Sequence, residues 1–151
     1  MTALGDFSSG DVLTAADMND LPAGVVTIAY NASSTQSFGT TPTDIATDSP
    51  TLQTGRIYLI SFTAYFYNNS VSGAQYTARV VVGATTTFQL SADTSSTTQR
   101  IPVSIQWPFS VASAGATTVA VQGYVSSGTG AITNGVAQEL RYTLLDIGPT
   151  L

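Results

Sequence analysis

The chain has 151 residues, 43% of them hydrophobic, but only 9% charged, against roughly a quarter in an average globular protein. It contains no Cys, His or Lys, and its 4 Arg and 9 acidic residues leave a net charge of −5. This balance argues against charge-driven binding to nucleic acid or anionic membranes, and it removes the usual imidazole base, thiolate and amine nucleophile. The length suits one domain, and no run of apolar residues is long enough to span a bilayer as a helix.

Residues 1–22 differ from the rest: they carry four of the nine acids and show no alternation. Thr14-Ala15-Ala16-Asp17 has the form of a capping box, and one or two helical turns can follow as far as Asp20 before Pro22. Leu13, Met18 and Leu21 make a single apolar stripe, too small to hold a helix alone in water. This predicts either a frayed tail or an anchor that folds on a partner surface. The sequence Asp6-Phe7-Ser8-Ser9-Gly10-Asp11-Val12-Leu13-Thr14-Ala15-Ala16-Asp17-Met18-Asn19 resembles the F-x-x-G-x-x-L-T-A-A-x-x-N segment near the N-terminus of many phage tail and virion-fibre proteins. In that family the segment joins the module to the particle. The resemblance implies the same role here, with Phe7, Gly10, Leu13, Thr14, Met18 and Leu21 as virion-anchoring residues.

From Gly24 the pattern turns to strands. Val25–Tyr30 is the first, Thr35–Phe38 a short return strand, and Thr40–Asp48 reads as a loop, re-aimed at Pro50. Arg56–Tyr67 then runs twelve residues without Gly, Pro or Asn, rich in β-branched and aromatic side chains. Tyr58, Ile60, Phe62, Ala64 and Phe66 lie on one side of the pleat; Ile57, Leu59, Ser61, Thr63, Tyr65 and Tyr67 lie on the other. The second side is too apolar for an ordinary solvent face. The strand is therefore predicted to sit centrally in a sandwich, with its outer side covered by another copy of the chain.

Tyr76–Gly83 and Thr85–Leu90 form a predicted hairpin. Ile101–Phe109 gives the clearest period-2 signal, with Ile101, Val103, Ile105, Trp107 and Phe109 on one side and prolines 102 and 108 facing out at an edge or bulge. Thr117–Val125 and Gln138–Ile147 are the last strands, separated by a turn at 126–130. About eight strands at this spacing predict an all-β fold over residues 24–151: an antiparallel β-sandwich of jelly-roll type, preceded by the short extended or helical anchor.

The segments Thr43–Pro50, Thr54–Ile60, Gly123-Tyr124 and Gly128-Thr129-Gly130 resemble a compact module frequent in phage virion proteins. That module is similar to the trimeric jelly roll of the complement C1q and tumour-necrosis-factor type. The resemblance implies a homotrimer in which a Tyr-rich and aliphatic strand face packs at the three-fold axis. Tyr58, Phe62 and Phe66, or the opposite set Leu59, Tyr65 and Tyr67, are the candidates for that interface.

Other chemistry is weighed against these expectations. Asp44 and Asp48 in one predicted loop and Asp93 in another supply the residue types of a carboxylate pair, but turn and Asx-cap roles account for them. The Asp44/Asp48 stretch lacks the D-x-[DN]-x-[DN]-G run of a calcium loop, and no glycine loop leads into a Lys-bearing helix. Neither catalysis, metal nor cofactor is expected. Glycan binding is the rival: Trp107, Tyr67, Asn68 and Asn69 are residue types that stack on or hydrogen-bond sugars, although Trp107 falls in phase with the core.

The sequence thus predicts a structural protein on the exterior of a bacteriophage particle. It would be a homotrimeric capsid decoration, head fibre or short tail appendage, docked to capsid or tail proteins through residues 1–22. The alternative is an adsorption module that binds a host-surface glycan. No nucleic-acid or membrane partner is expected.

Overall fold

The computed structural model describes residues 24–29, 36–68, 70–132 and 140–150, and every regular element among them is a β-strand. In chain order these are β1 (Gly24–Ala29), β2 (Gln36–Phe38), β3 (Thr43–Asp48), β4 (Thr51–Leu52), β5 (Arg56–Asn68) and β6 (Gln75–Val82). The second half gives β7 (Thr85–Asp93), β8 (Arg100–Phe109), β9 (Gly115–Ala116), β10 (Val119–Val125), β11 (Gly130–Ile132) and β12 (Arg141–Pro149). The virion-anchoring residues proposed from sequence, Phe7 to Leu21, lie outside the described residues.

The pairing is nested. β6 pairs with β7 through a turn in which Gly83 takes φ 61°, a left-handed conformation that glycine adopts without steric cost. Outward from that tip, β5 pairs with β8, β4 with β9, β3 with β10, β2 with β11 and β1 with β12, all antiparallel. A chain folded as one long hairpin and then rolled into two layers is a jelly roll.

The larger sheet has six strands but only four columns. β8 lines one edge of β5, while β12 pairs with Arg56–Thr63 and β11 with Phe66–Asn68 along the other edge. β1 and β2 continue outward from β12 and β11. The facing sheet runs β3-β10-β6-β7, and β4 and β9 form a small ribbon at one end. That end, called the base below, also holds Gly24, which pairs with Asp146, and the close of β12, where Pro149 pairs with Arg56. The distal end carries the β5–β6, β7–β8 and β10–β11 connections.

Between the sheets lies a dry core made by the alternation seen in the sequence. β5 contributes Tyr58, Ile60, Phe62, Ala64 and Phe66, with Ile60, Phe62 and Phe66 fully buried. Ile101, Val103, Ile105 and Phe109 come from β8, Tyr142 and Leu144 from β12, and Val119, Val121 and Val125 from β10. Distally, Phe38, Phe66 and Tyr76 meet as an aromatic trio with ring centroids 5.6–6.1 Å apart. Gly130 lies against this trio; a Cβ there would stand 2.5 Å from Tyr76 Cε1 and 2.8 Å from the Phe38 ring, so only glycine fits.

Tyr76 brings its hydroxyl into this trio without a hydrogen-bond partner, a cost that the ring's packing must offset. Burial, with Tyr67 nearby as a lesser cause, pushes the Tyr76 phenol well above its ordinary value; burial, with Asp48, does the same to Tyr142. A raised phenol pKa favours the protonated form in the folded state. The associated stability is therefore complete below the unfolded phenol value of about 10 and falls as pH rises above it. Tyr76→Phe is expected to raise stability by about 1 kcal/mol at neutral pH and to weaken the alkaline decline, both read from urea midpoints across pH. A loss at neutral pH would show that the hydroxyl is satisfied.

Two expectations require correction. Thr40–Asp48 is not all loop: Thr43–Asp48 is β3, an edge strand that buries Ile45 and Ala46 against β10. Its acids and flanking prolines read as loop because an edge strand tolerates them, and a bulge between Val121 and Gln122 absorbs the misfit. Tyr58 and Phe62 cannot serve a trimer interface, because they are 2% and 0% exposed inside the sandwich. The period-2 pleat that puts them in phase with Ile60 turns both into the core.

Candidate functional site

The outer face of the larger sheet is where the chain departs most from an ordinary soluble surface. Three of the four large, exposed hydrophobic side chains among the described residues stand there: Val25 at 57%, Ile147 at 44% and Tyr65 at 40% exposure. At the base end the register sets Val25 beside Leu145, Leu145 beside Leu59, and Leu59 beside Pro108. An apolar row thus crosses the sheet through β1, β12, β5 and β8. Ile147 is pushed outward by the bulge between Asp146 and Gly148, next to Ile57. A band of small polar groups follows, with Ser61 between Thr143 and Gln106, and Thr63 between Arg141 and Ser104. Toward the distal end Tyr65 lies beside Pro102, and Tyr67 beside Arg100 and Ala131. Leu59, Tyr65 and Tyr67, the second of the two sequence-proposed interface sets, therefore share one outward face.

Beneath the apolar row, Asp146 reaches toward the core and pins the base. Its Oδ2 takes a hydrogen bond and ion pair from Arg56 Nε at 2.5 Å, and its Oδ1 accepts the Gly148 N–H at 3.0 Å. The pair ties the start of β5 to the bulge that pushes Ile147 out. Tyr58 adds a second tie, its hydroxyl accepting the Gln53 N–H at 2.7 Å across the turn into β5.

The facing sheet presents the opposite character. One register row sets Asp44, Gln122, Arg79 and Gln89 side by side across all four strands. Gln122 Nε2 donates to Asp44 Oδ1 at 2.7 Å, and Arg79 Nε donates to Gln122 Oε1 at 2.8 Å. The Arg79 guanidinium also stands 5.9 Å from the centre of the Tyr124 ring. Asp44, Gln122 and Arg79 thus form one connected polar chain, and nothing in the single sequence announced it, because its members come from three strands far apart in the chain.

The acids do not converge. Asp44 is held by Gln122, Asp48 accepts the N–H of Ser49 at 2.7 Å, and Asp93 accepts from Gln75 Nε2 at 3.1 Å near the distal end. Among the described residues no three His, Cys, Asp or Glu side chains gather within reach of one metal ion. A cleft of about 430 Å³ at the base, lined by Val82, Thr85, Thr87, Val111 and Thr117, carries hydroxyls but no charge.

The distal connections are tied to one another rather than loose. Ser70 Oγ donates to Thr129 O at 3.1 Å and accepts from Thr129 N at 2.7 Å; Ser72 Oγ donates to Ser95 O at 3.0 Å; and Ser126 Oγ accepts from Gln75 N at 2.9 Å. The backbone of Asn68, one of the glycan-binding candidates, pairs with Gly130 beside these loops. Its side chain and the whole of Asn69 lie outside the described residues.

Trp107 was expected in the core, and it does face inward, but at the open seam between β7 and β8. There it is only partly buried and stacks on Phe88 with centroids 4.7 Å apart. Trp107→Ala is accordingly expected to cost about 2 kcal/mol, less than the roughly 3–5 kcal/mol of a fully enclosed aromatic. Chemical denaturation measures this directly, and a cost below about 0.5 kcal/mol would mean that the stack contributes little.

No protein-family model matches the chain, and no curated protein matches it.

Proposed function

We propose that the protein is a structural component on the exterior of a bacteriophage particle, a homotrimeric capsid decoration, head fibre or short tail appendage docked through residues 1–22. The observation that carries the trimer is the outer face of the larger sheet. Its apolar row through Val25, Leu145 and Leu59, flanked by Ile147, is a surface that a monomer at 9% charged residues would gain by covering. A further copy is the occupant that a low-charge chain with mixed hydroxyl and aliphatic rows fits best. The resemblance of residues 6–19 to particle-joining segments supports the docking role. It agrees with Gly24 entering at the base, opposite the hydroxyl-rich distal loops.

Light scattering of residues 24–151 across a dilution series tests the trimer. A three-chain mass stable to dilution is expected, and a monomer at all concentrations overturns it. Deleting residues 1–22 tests the docking separately. Particles assembled with the shortened chain should lack it, and full occupancy would remove the anchor from the proposal.

A second reading rests on the distal loops. The described residues of those connections, 70–74, 94–99 and 126–129, contain no charged side chain and are held by their own hydroxyls. A pre-ordered, neutral, hydroxyl-rich tip suits a host-surface glycan, and adsorption through it would survive removal of residues 1–22.

A further inference from the structure

The two sheets have four outer edges, and three of them are guarded. β8 carries Pro102 and Pro108, whose rings cannot donate to a further strand. β3 is short, flanked by Pro42 and Pro50, and its Asp44 carbonyl is already taken by Gln36 Nε2 at 2.7 Å. β1 is six residues long and broken by a bulge between Val25 and Thr27. β7 is the exception. Its nine residues contain no Pro and no charge before Asp93, and it hydrogen-bonds only to β6 in the sheet. A long strand edge of this kind is a template for another strand, and natural proteins seldom leave one unguarded.

The register indicates what fits. Thr94 N–H donates to Ala74 O at 3.0 Å, which marks the 74/94 pair as hydrogen-bonded. By the alternation of an antiparallel ladder, Ala92, Leu90 and Phe88 also bond to β6, and the backbone groups of Gln89, Ser91 and Asp93 point away from it. An antiparallel partner must meet those three. A second β7 centred on Leu90 does so, with Gln89 opposite Ser91 of the other copy and the reverse. On the inner side, Leu90 then meets Leu90 and the large Phe88 meets the small Ala92; Asp93 lies opposite Thr87, so no like charges face each other.

We propose that β7 pairs with β7 of a second copy across a two-fold axis, joining the two four-stranded sheets into one continuous eight-stranded sheet. This contact uses the edge of one sheet, whereas the proposed trimer uses the face of the other. The two associations are independent, and edge pairing would link trimers side by side into a lattice on a surface.

The full-length chain tests this by its mass over a wide concentration range. Wild type is expected to associate beyond the unit the sheet face produces: at high concentration a monomer doubles, and a trimer, which carries three β7 edges, doubles and grows further. Gln89→Lys combined with Ser91→Lys sets ammonium groups opposite one another in the proposed register and should abolish this association while leaving the smaller unit and the circular dichroism unchanged. Gln89→Glu with Ser91→Glu should do the same. Mixing the two double variants should restore the association, in species that contain both variants. Absence of this association in wild type overturns the proposal, as does association that persists in both variants or a mixture that stays apart. A smaller unit that is monomeric rather than trimeric counts against the trimer alone.

Discussion

Asp146→Ala is expected to destabilise the fold by about 3 kcal/mol, the largest loss from any single polar side chain described above. The carboxylate is 5% exposed and its Arg56 partner 15%, so neither is well screened by water. Removing the anion leaves a cation facing the base of the core without its nearest counter-charge and frees the Gly148 N–H that shaped the bulge. Breaking such a pair costs far more than a surface ion pair is worth, because the desolvation of the survivor is not refunded. Asp146→Asn keeps the shape and one acceptor oxygen, enough for one of the two donors, and should lose about half as much. Equal losses for the two variants, measured by urea denaturation, would mean that the charge alone, rather than the shape and polarity that asparagine keeps, holds the base. A loss under about 1 kcal/mol for alanine would mean that the pair is effectively solvated.

Leu59→Asp is expected to abolish the trimer while leaving the monomer folded. Leu59 points out from the middle of the apolar row, between Leu145 and Pro108, so the core does not feel the change. Edge and face substitutions of this sort shift sheet stability by about 1 kcal/mol or less. In a trimer, each substituted copy would bring an uncompensated carboxylate into an apolar contact, at several kcal/mol apiece, on a chain already at −5. No trimer should then survive at micromolar concentration. Leu145→Asp, on the neighbouring strand, should act alike. Sedimentation or light scattering gives the answer, and an intact assembly in both variants would move the interface away from this face.

How much of this was legible in the sequence follows from where each signal resides. The inward side of β5 and β8 could be read residue by residue, since alternation is a local property and the core obeys it. Outward placement of Pro102 and Pro108 could be read too, because a missing donor excludes a central position. β3 was missed because Asp44, Asp48 and the prolines outweigh Ile45-Ala46 in any local window; only pairing with β10 makes it a strand. β11 and the β4–β9 ribbon are two or three residues each, shorter than any periodic signal. The mixed outer side of β5 was noticed, but the apolar row depends on Val25, Leu145 and Pro108 arriving at one level, and register between distant strands leaves no trace in a single chain. The same holds for the Asp44–Gln122–Arg79–Gln89 row and for the Arg56–Asp146 pair, 90 residues apart.

The nesting of strand pairs also fixes an order of events. Only β6 and β7 are neighbours in the chain, so only that hairpin can close without first immobilising a long loop, and each successive pair encloses the last. Assembly is therefore expected to zip from Gly83 outward and to be slow for the chain's length, with β1 and β12 joining last. Pulse-labelled hydrogen exchange during refolding should show β6 and β7 amides protected well before those of β1; simultaneous protection would contradict this. On a ribosome, the N-terminal strand must wait for Arg141–Pro149 to emerge. Throughout synthesis, then, the base stays unfinished, and any contact that needs β1 and β12 side by side becomes possible only once the last strand is in place.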